Sequence, residues 1–142
     1  MGGGTPRRSV APDVTRRLLL DTHALIWWVA GDPSIGAETR AMVDSAELVL
    51  VSAISAYEIT LKHATGRLPE AAGLASDVAG AVRRAGFREL PIALSHAEAA
   101  GRLPRHHRDP FDRMLVAQAL VESLPLVSAD TALDAFAIER IW

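Results

Sequence analysis

The sequence predicts an α/β domain: a parallel sheet covered by helices on both faces. Three observations predict it. Short apolar runs recur along the chain, as in LLL at 18–20 and LVLVS at 48–52. Longer segments with helical period separate them. The runs are apolar almost throughout, the mark of strands buried on both faces. With 142 residues, the chain suits one domain with a real core.

The elements follow in order. Residues 1–17 carry Gly, Pro and Arg without any period and read as a disordered N-terminal extension, leaving 18–142 as the folded domain. Leu18–Leu20 is the first strand and His23–Ala30 the first helix. Ser34 is placed to cap a second helix reaching about Ala46. Leu48–Ser52 is a strand, and Ser55–Thr65 a helix stopped by Gly66. One helix spans Ala71–Ala85 and ends at Gly86, a good C-terminal cap. Phe87–Ile92 is a strand interrupted by Pro91. Ser95–Arg102 and Pro110–Ser123 are helices, Leu126–Ser128 a strand, Thr131–Phe136 a short helix, and Ile138–Ile141 a last strand.

Composition excludes several chemistries. There is no cysteine, hence no disulfide, thiolate zinc site or cysteine nucleophile. The net charge of −2, from 15 basic and 17 acidic residues, argues against coating nucleic acid by bulk electrostatics. A local basic rim around an acidic pocket is compatible with it. Fourteen of the 15 basic residues are Arg, and Lys62 is the sole lysine. No apolar run approaches the roughly 18 residues of a membrane span. The N-terminal segment lacks the apolar stretch of a signal peptide. The expected location is cytoplasmic.

In an open parallel sheet, ligands bind beyond the carboxyl ends of the strands. Asp21 directly follows LLL, and Asp130 follows LVSA. Glu58 lies on the helix after LVLVS, and Asp112 in the first turn after PRHHRDP. Each has a plainer alternative. Asp21 and Asp130 are placed to cap the helices that follow them. Ser55 and Glu58 fit a capping box, although Glu58 also borders the apolar stripe of its helix. Asp109 followed by Pro110 fits an N-cap with proline at the first helical position. Asp112 then faces inward with Leu115, Val116 and Ala119, which a helix-dipole role does not require. Asp112 is therefore the functional acid of the two. Four hard oxygen donors without sulfur or paired histidines suit Mg²⁺ or Mn²⁺.

The segments LLLDTHALIWW (18–28), VSAISAYEITLKHATGRL (51–68), LPRHHRDPFDRMLVAQAL (103–120) and LVSADTAL (126–133) resemble the PIN-domain ribonucleases, in particular the VapC-type toxins of bacterial toxin–antitoxin pairs. The resemblance implies a three-layer α/β/α sandwich around a central parallel sheet. It implies a metal-dependent endoribonuclease acting on RNA, with an acidic quartet at Asp21, Glu58, Asp112 and Asp130. Thr22 matches the small hydroxyl residue after the first acid. Asp21 and Asp112 would bind the main ion. Asp130 would orient it through water or bind a second, and Glu58 would position or deprotonate the attacking water. A small cognate antitoxin is the implied partner. The N-terminal extension departs from the family pattern.

His106, Arg108 and Arg113 flank the third acid and are candidates for RNA phosphate contacts, against the alternative of a solvated loop. Trp27 and Trp28 lie on a helix apolar nearly all round. They serve the core, or else part of that helix faces a second copy or an antitoxin peptide; a homodimer is expected. Two other function classes compete. A phospho-accepting signalling domain also places acids at strand ends, but needs adjacent acids after the first strand and a late lysine, both missing here. A non-catalytic binding module of the same fold would be signalled by loss of an acid, and all four are present.

Overall fold

The computed structural model describes residues 16–142. The extension expected over 1–17 lies outside them except for its last two residues. Those two belong to the fold: Arg17 opens the first strand, and Arg16 Nη2 donates to Glu139 Oε1 at 2.8 Å.

Among the described residues, five strands form one parallel sheet. They are β1 (Arg17–Leu20), β2 (Leu48–Ser52), β3 (Arg88–Leu90), β4 (Leu126–Val127) and β5 (Arg140–Ile141), in spatial order β3-β2-β1-β4-β5. β1 is central, pairing Leu19 with Leu50 of β2 and with Leu126 of β4. The chain winds outward from β1 in both directions, so the strand order reverses at β1, where clefts in such sheets open.

Among the described residues, seven α-helices cover the sheet: α1 (Thr22–Ala30), α2 (Ala37–Ser45), α3 (Ala53–Ala64), α4 (Ala72–Ala75), α5 (Val78–Arg84), α6 (Leu94–Arg102) and α7 (Pro110–Glu122). The pleat divides the apolar residues between two cores. Leu18, Leu20, Val49, Val51 and Val127 point to one face, with Leu25, Met42, Ile59 and Val82 from the helices. Leu19 and Leu126 point to the other, with Leu115, Val116 and Ala119 of α7. A sheet buried on both sides accounts for the unbroken apolar runs at 18–20 of β1 and 48–51 of β2, while the edge strand β3 carries Arg88 and Glu89.

Three expected boundaries shift, each through one side chain. Asp32 Oδ1 accepts from Ser34 N at 2.8 Å, tying Ser34 into a turn, so α2 begins three residues after it, at Ala37. Ser52 Oγ accepts from Ile54 N at 3.0 Å, so α3 starts at Ala53 and Ser55 lies inside the helix. The helix expected over 71–85 is broken. Asp77 Oδ1 accepts from Gly80 N at 2.9 Å and starts α5 afresh, after a 3₁₀ turn at Pro69–Ala71 and the short α4. Gly86 closes α5 with φ of 80°, a conformation that glycine adopts without strain.

Trp27 and Trp28 pack within the chain. Trp27 meets Trp142 with ring centroids 5.6 Å apart, and Trp28 meets Phe87 at 5.8 Å, with Arg40 over its ring. Among the described residues, no helix is long and apolar enough to cross a membrane.

Candidate active site

The carboxyl ends of β1 and β4, the first turns of α7 and the middle of α3 meet at one edge of the sheet. Asp21 leaves β1 and caps α1, its Oδ1 accepting from Ala24 N at 2.7 Å. The cap uses one oxygen. Burial pushes the Asp21 carboxyl up to about 6, and the nearby Asp112 charge adds to this. The Ser128 hydroxyl, the Ala24 amide and His23 act the other way.

Asp112 stands in the first turn of α7. Asp109 caps that helix, its Oδ1 accepting from Phe111 N at 2.8 Å and Asp112 N at 3.2 Å, with Pro110 at the first position. Asp109 thus spends its side chain on the backbone as the cap, and the Asp112 side chain takes no part in capping. The Asp112 carboxyl is held above the usual carboxylate range, chiefly by burial, with the charges of Asp109 and Asp130 adding to it. A hydrogen bond to His107, whose Nε2 is 3.0 Å from Asp112 Oδ2, opposes the rise.

Asp130 is exposed and caps the 3₁₀ turn Thr131–Ala135, its Oδ1 accepting from Ala132 N at 3.0 Å. The backbone N–H of Asp130 donates to Ser128 Oγ at 3.1 Å. Ser128, fully buried at the end of β4, thus touches both flanking acids and fixes their spacing. It follows Leu126-Val127 in plain view, yet a small hydroxyl after a strand carries no signal by itself.

Glu58 is buried on α3, and both its oxygens are occupied. Thr22 Oγ1 donates to Oε1 at 2.6 Å, and Lys62 Nζ donates to Oε2. Because Thr22 spends its proton on Glu58, the Ser55 hydroxyl 3.0 Å away must donate to Thr22. The capping box expected for Ser55 and Glu58 does not form; the cap is Ser52, and Ser55 joins this buried chain instead. Thr22 directly follows Asp21, so the chain ties α3 to the end of β1. The Glu58–Lys62 spacing of one helical turn was the available signal for the ion pair.

Arg113 has a different task from the phosphate contact expected of it. Nη1 donates to the carbonyls of Pro104 and His107 at 2.8 Å each. Nη2 donates to those of Ala100 and Leu103 at 2.7 and 2.8 Å. All four terminal N–H groups are spent on backbone carbonyls of α6 and the loop after it, so Arg113 shapes the segment that carries His107. His106 is exposed and stacks on Phe136, with centroids 5.6 Å apart and planes 20° apart. Arg105 and Arg108 are exposed and, with His107, line a pocket of about 490 Å³ beside Asp112.

Three aspartates meet at a site short of positive charge: the Asp112 charge raises the proton affinity of Asp21, and the Asp130 charge raises that of Asp112. Among the described residues, no three His, Asp or Glu side chains form a closed metal-ligand group. The donor set nevertheless fits a hard divalent cation, which would offset the repulsion along Asp21, Asp112 and Asp130. Mg²⁺ is commonly held by one or two carboxylates and completes its shell with water and substrate phosphate.

The PIN domain family model matches residues 18–139. Solved structures share the fold at low identity. The VapBC2 complex from Rickettsia felis, bound to a promoter DNA fragment, matches with a TM-score of 0.65 at 12% identity, covering 89% of this chain and 97% of that one. A toxin–antitoxin complex from Klebsiella pneumoniae matches at 0.59 and 18%, covering 88% and 96%. FitAcB from Neisseria gonorrhoeae matches at 0.58 and 22%, with the same coverage. No curated protein gives a significant match.

Proposed function

The chain belongs to the PIN domain family, and from that premise we propose that it is a divalent-metal-dependent endoribonuclease, the toxin of a toxin–antitoxin pair. The observation that carries the reading is the placement of three carboxylates, Asp21 after β1, Asp130 after β4 and Asp112 in the first turn of α7, at the carboxyl ends of the central strands.

Asp21 and Asp112 would hold the cation, Mg²⁺ or Mn²⁺, and Asp130 would orient it from the loop after β4. A bound cation of this kind lowers the pKa of water and polarises a phosphoryl oxygen. Glu58 orients the attacking water; Thr22 and Lys62 fix its carboxylate in place. The water oxygen would bond to phosphorus and give up a proton to solvent, the opposite P–O bond would break, and the leaving oxygen would take a proton from solvent. His107 steadies Asp112, while Arg105 and Arg108 line the adjacent pocket and attract the phosphate backbone.

The structural neighbours are toxin–antitoxin complexes, which supports a small antitoxin as the partner of this chain. We also propose a homodimer, with the exposed Val29 of α1 in reach of a second copy. Light scattering that gives a strict monomer at high concentration overturns the dimer.

Purified protein should cleave RNA with Mg²⁺ or Mn²⁺ and stop in EDTA. Full activity in chelator, or cleavage of duplex DNA alone, overturns the nuclease reading. Co-purification with the product of an adjacent small reading frame tests the toxin role.

A further inference from the structure

Two aromatic residues stand directly before two of the site acids: Tyr57 before Glu58 and Phe111 before Asp112. They come from different helices and meet, with ring centroids 5.7 Å apart and planes at 56°. Tyr57 is 57% exposed and, among the described residues, is the one aromatic ring of the exposed large apolar side chains. Phe111 is half-buried, and Lys62 Nζ lies 5.3 Å from its ring centroid while donating to Glu58 Oε2. A continuous path of contacts thus runs from the solvent-facing tyrosine to the buried acid. The tilted contact with Phe111 braces the Tyr57 ring without covering it.

We propose that Tyr57, braced by Phe111, is a stacking platform for one unpaired base of a single-stranded RNA, next to the phosphate held at the acids. The proposal rests on the nuclease reading above and adds how the strand is recognised. Every base offers a π-face, so stacking on an exposed ring holds a strand without fixing its sequence, and it requires that the base be unpaired. An aromatic ring has few rotatable bonds to immobilise and supplies a large apolar face. Lys62 adds positive charge at the inner end of the platform, where the backbone must turn toward the acids. The platform therefore selects single strands and loops over continuous duplex.

The test uses the full chain with Ca²⁺ in place of Mg²⁺, read before any strand is cut, with short single-stranded RNAs carrying 2-aminopurine at successive positions. Wild type should bind and quench the fluorescence at one position above all. Tyr57→Ala should weaken binding about 5- to 150-fold, the range expected for loss of one stacked base. Tyr57→Phe should bind like wild type. When the responding nucleotide is made abasic, wild type and Tyr57→Ala should bind alike. Equal losses with intact and abasic strands, or no loss at all, overturn the platform. So does a Tyr57→Ala variant that binds RNA normally and fails only to bind a protein partner. Tyr57-dependent binding without any metal-dependent cleavage overturns the nuclease reading and leaves the platform standing. Cleavage with Tyr57-independent binding does the reverse.

Discussion

His107 Nε2 lies 3.0 Å from Asp112 Oδ2, and the two residues are joined a second time through Arg113, which follows Asp112 and donates from Nη1 to the His107 carbonyl. The imidazole favours the ionised form of an acid that burial and two neighbouring aspartates push the other way. His107→Ala removes that support and leaves the like charges. The Asp112 carboxyl should then hold its proton to higher pH. The acidic limb of the pH–rate profile for RNA cleavage should move to higher pH, and activity at saturating Mg²⁺ above that limb should fall far less. An unmoved acidic limb would show that His107 does not tune Asp112.

Asp21 gives a pH dependence with a definite sign. Its folded pKa, about 6, lies above the ordinary value of 3.8. The metal-free protein therefore gains stability from this group below pH 4. It loses that gain as the pH rises through about 6. The other carboxylates contribute their own slopes, so the difference between wild type and Asp21→Asn isolates this one. Relative to wild type, the variant should become more stable as the pH is raised from 4 to 7 in EDTA, as read from thermal melts. A divalent cation requires the ionised form, so Mg²⁺ affinity should increase over the same interval.

Much of this site is visible in the sequence, and the hidden parts have a common cause. Asp21 and Asp130 end strands, and Asp109-Pro110 announces the start of α7, because those signals are local. The buried chain from Ser55 through Thr22 to Glu58 joins residues 33 and 36 positions apart, and no local pattern marks it. Arg113 binds only backbone carbonyls, which every residue possesses, so its sequence shows a free cation where the fold has a staple. The split of the expected 71–85 helix turns on one side chain, Asp77, capping Gly80 against a helical pattern that otherwise continues.

Arg113→Ala should damage stability first and activity through it. Hydrogen bonds from a charged group are worth about 1.5–3 kcal/mol each and are not additive across one side chain. Four carbonyls lose their partner, some of them with access to water, so an unfolding loss of about 2–4 kcal/mol is expected. Arg113→Lys should recover only part of it, since an ammonium cannot span the four acceptors in one plane. Urea unfolding of both variants measures this. A loss below about 0.5 kcal/mol, the level of an ordinary surface substitution, would mean that the loop holds its shape without the guanidinium.

The two aspartates of the α7 N-terminus separate structure from chemistry. Asp112→Asn keeps the shape of the side chain and removes the charge that the cation needs. RNA cleavage should fall to near background. The variant also relieves repulsion with Asp109 and Asp130, so the metal-free protein should melt no lower than wild type. Asp109→Asn should retain most activity, because asparagine caps a helix about as well as aspartate. Asp109→Ala loses the acceptor for the Phe111 and Asp112 amides and should cost about 0.5–2 kcal/mol of stability. Any fall in its activity should come with fraying of the first turn of α7, which carries Asp112. Cleavage kinetics and thermal melts on the three variants, run in parallel, decide between the roles. An inactive Asp109→Asn beside an active Asp112→Asn would reverse the assignment of cap and ligand.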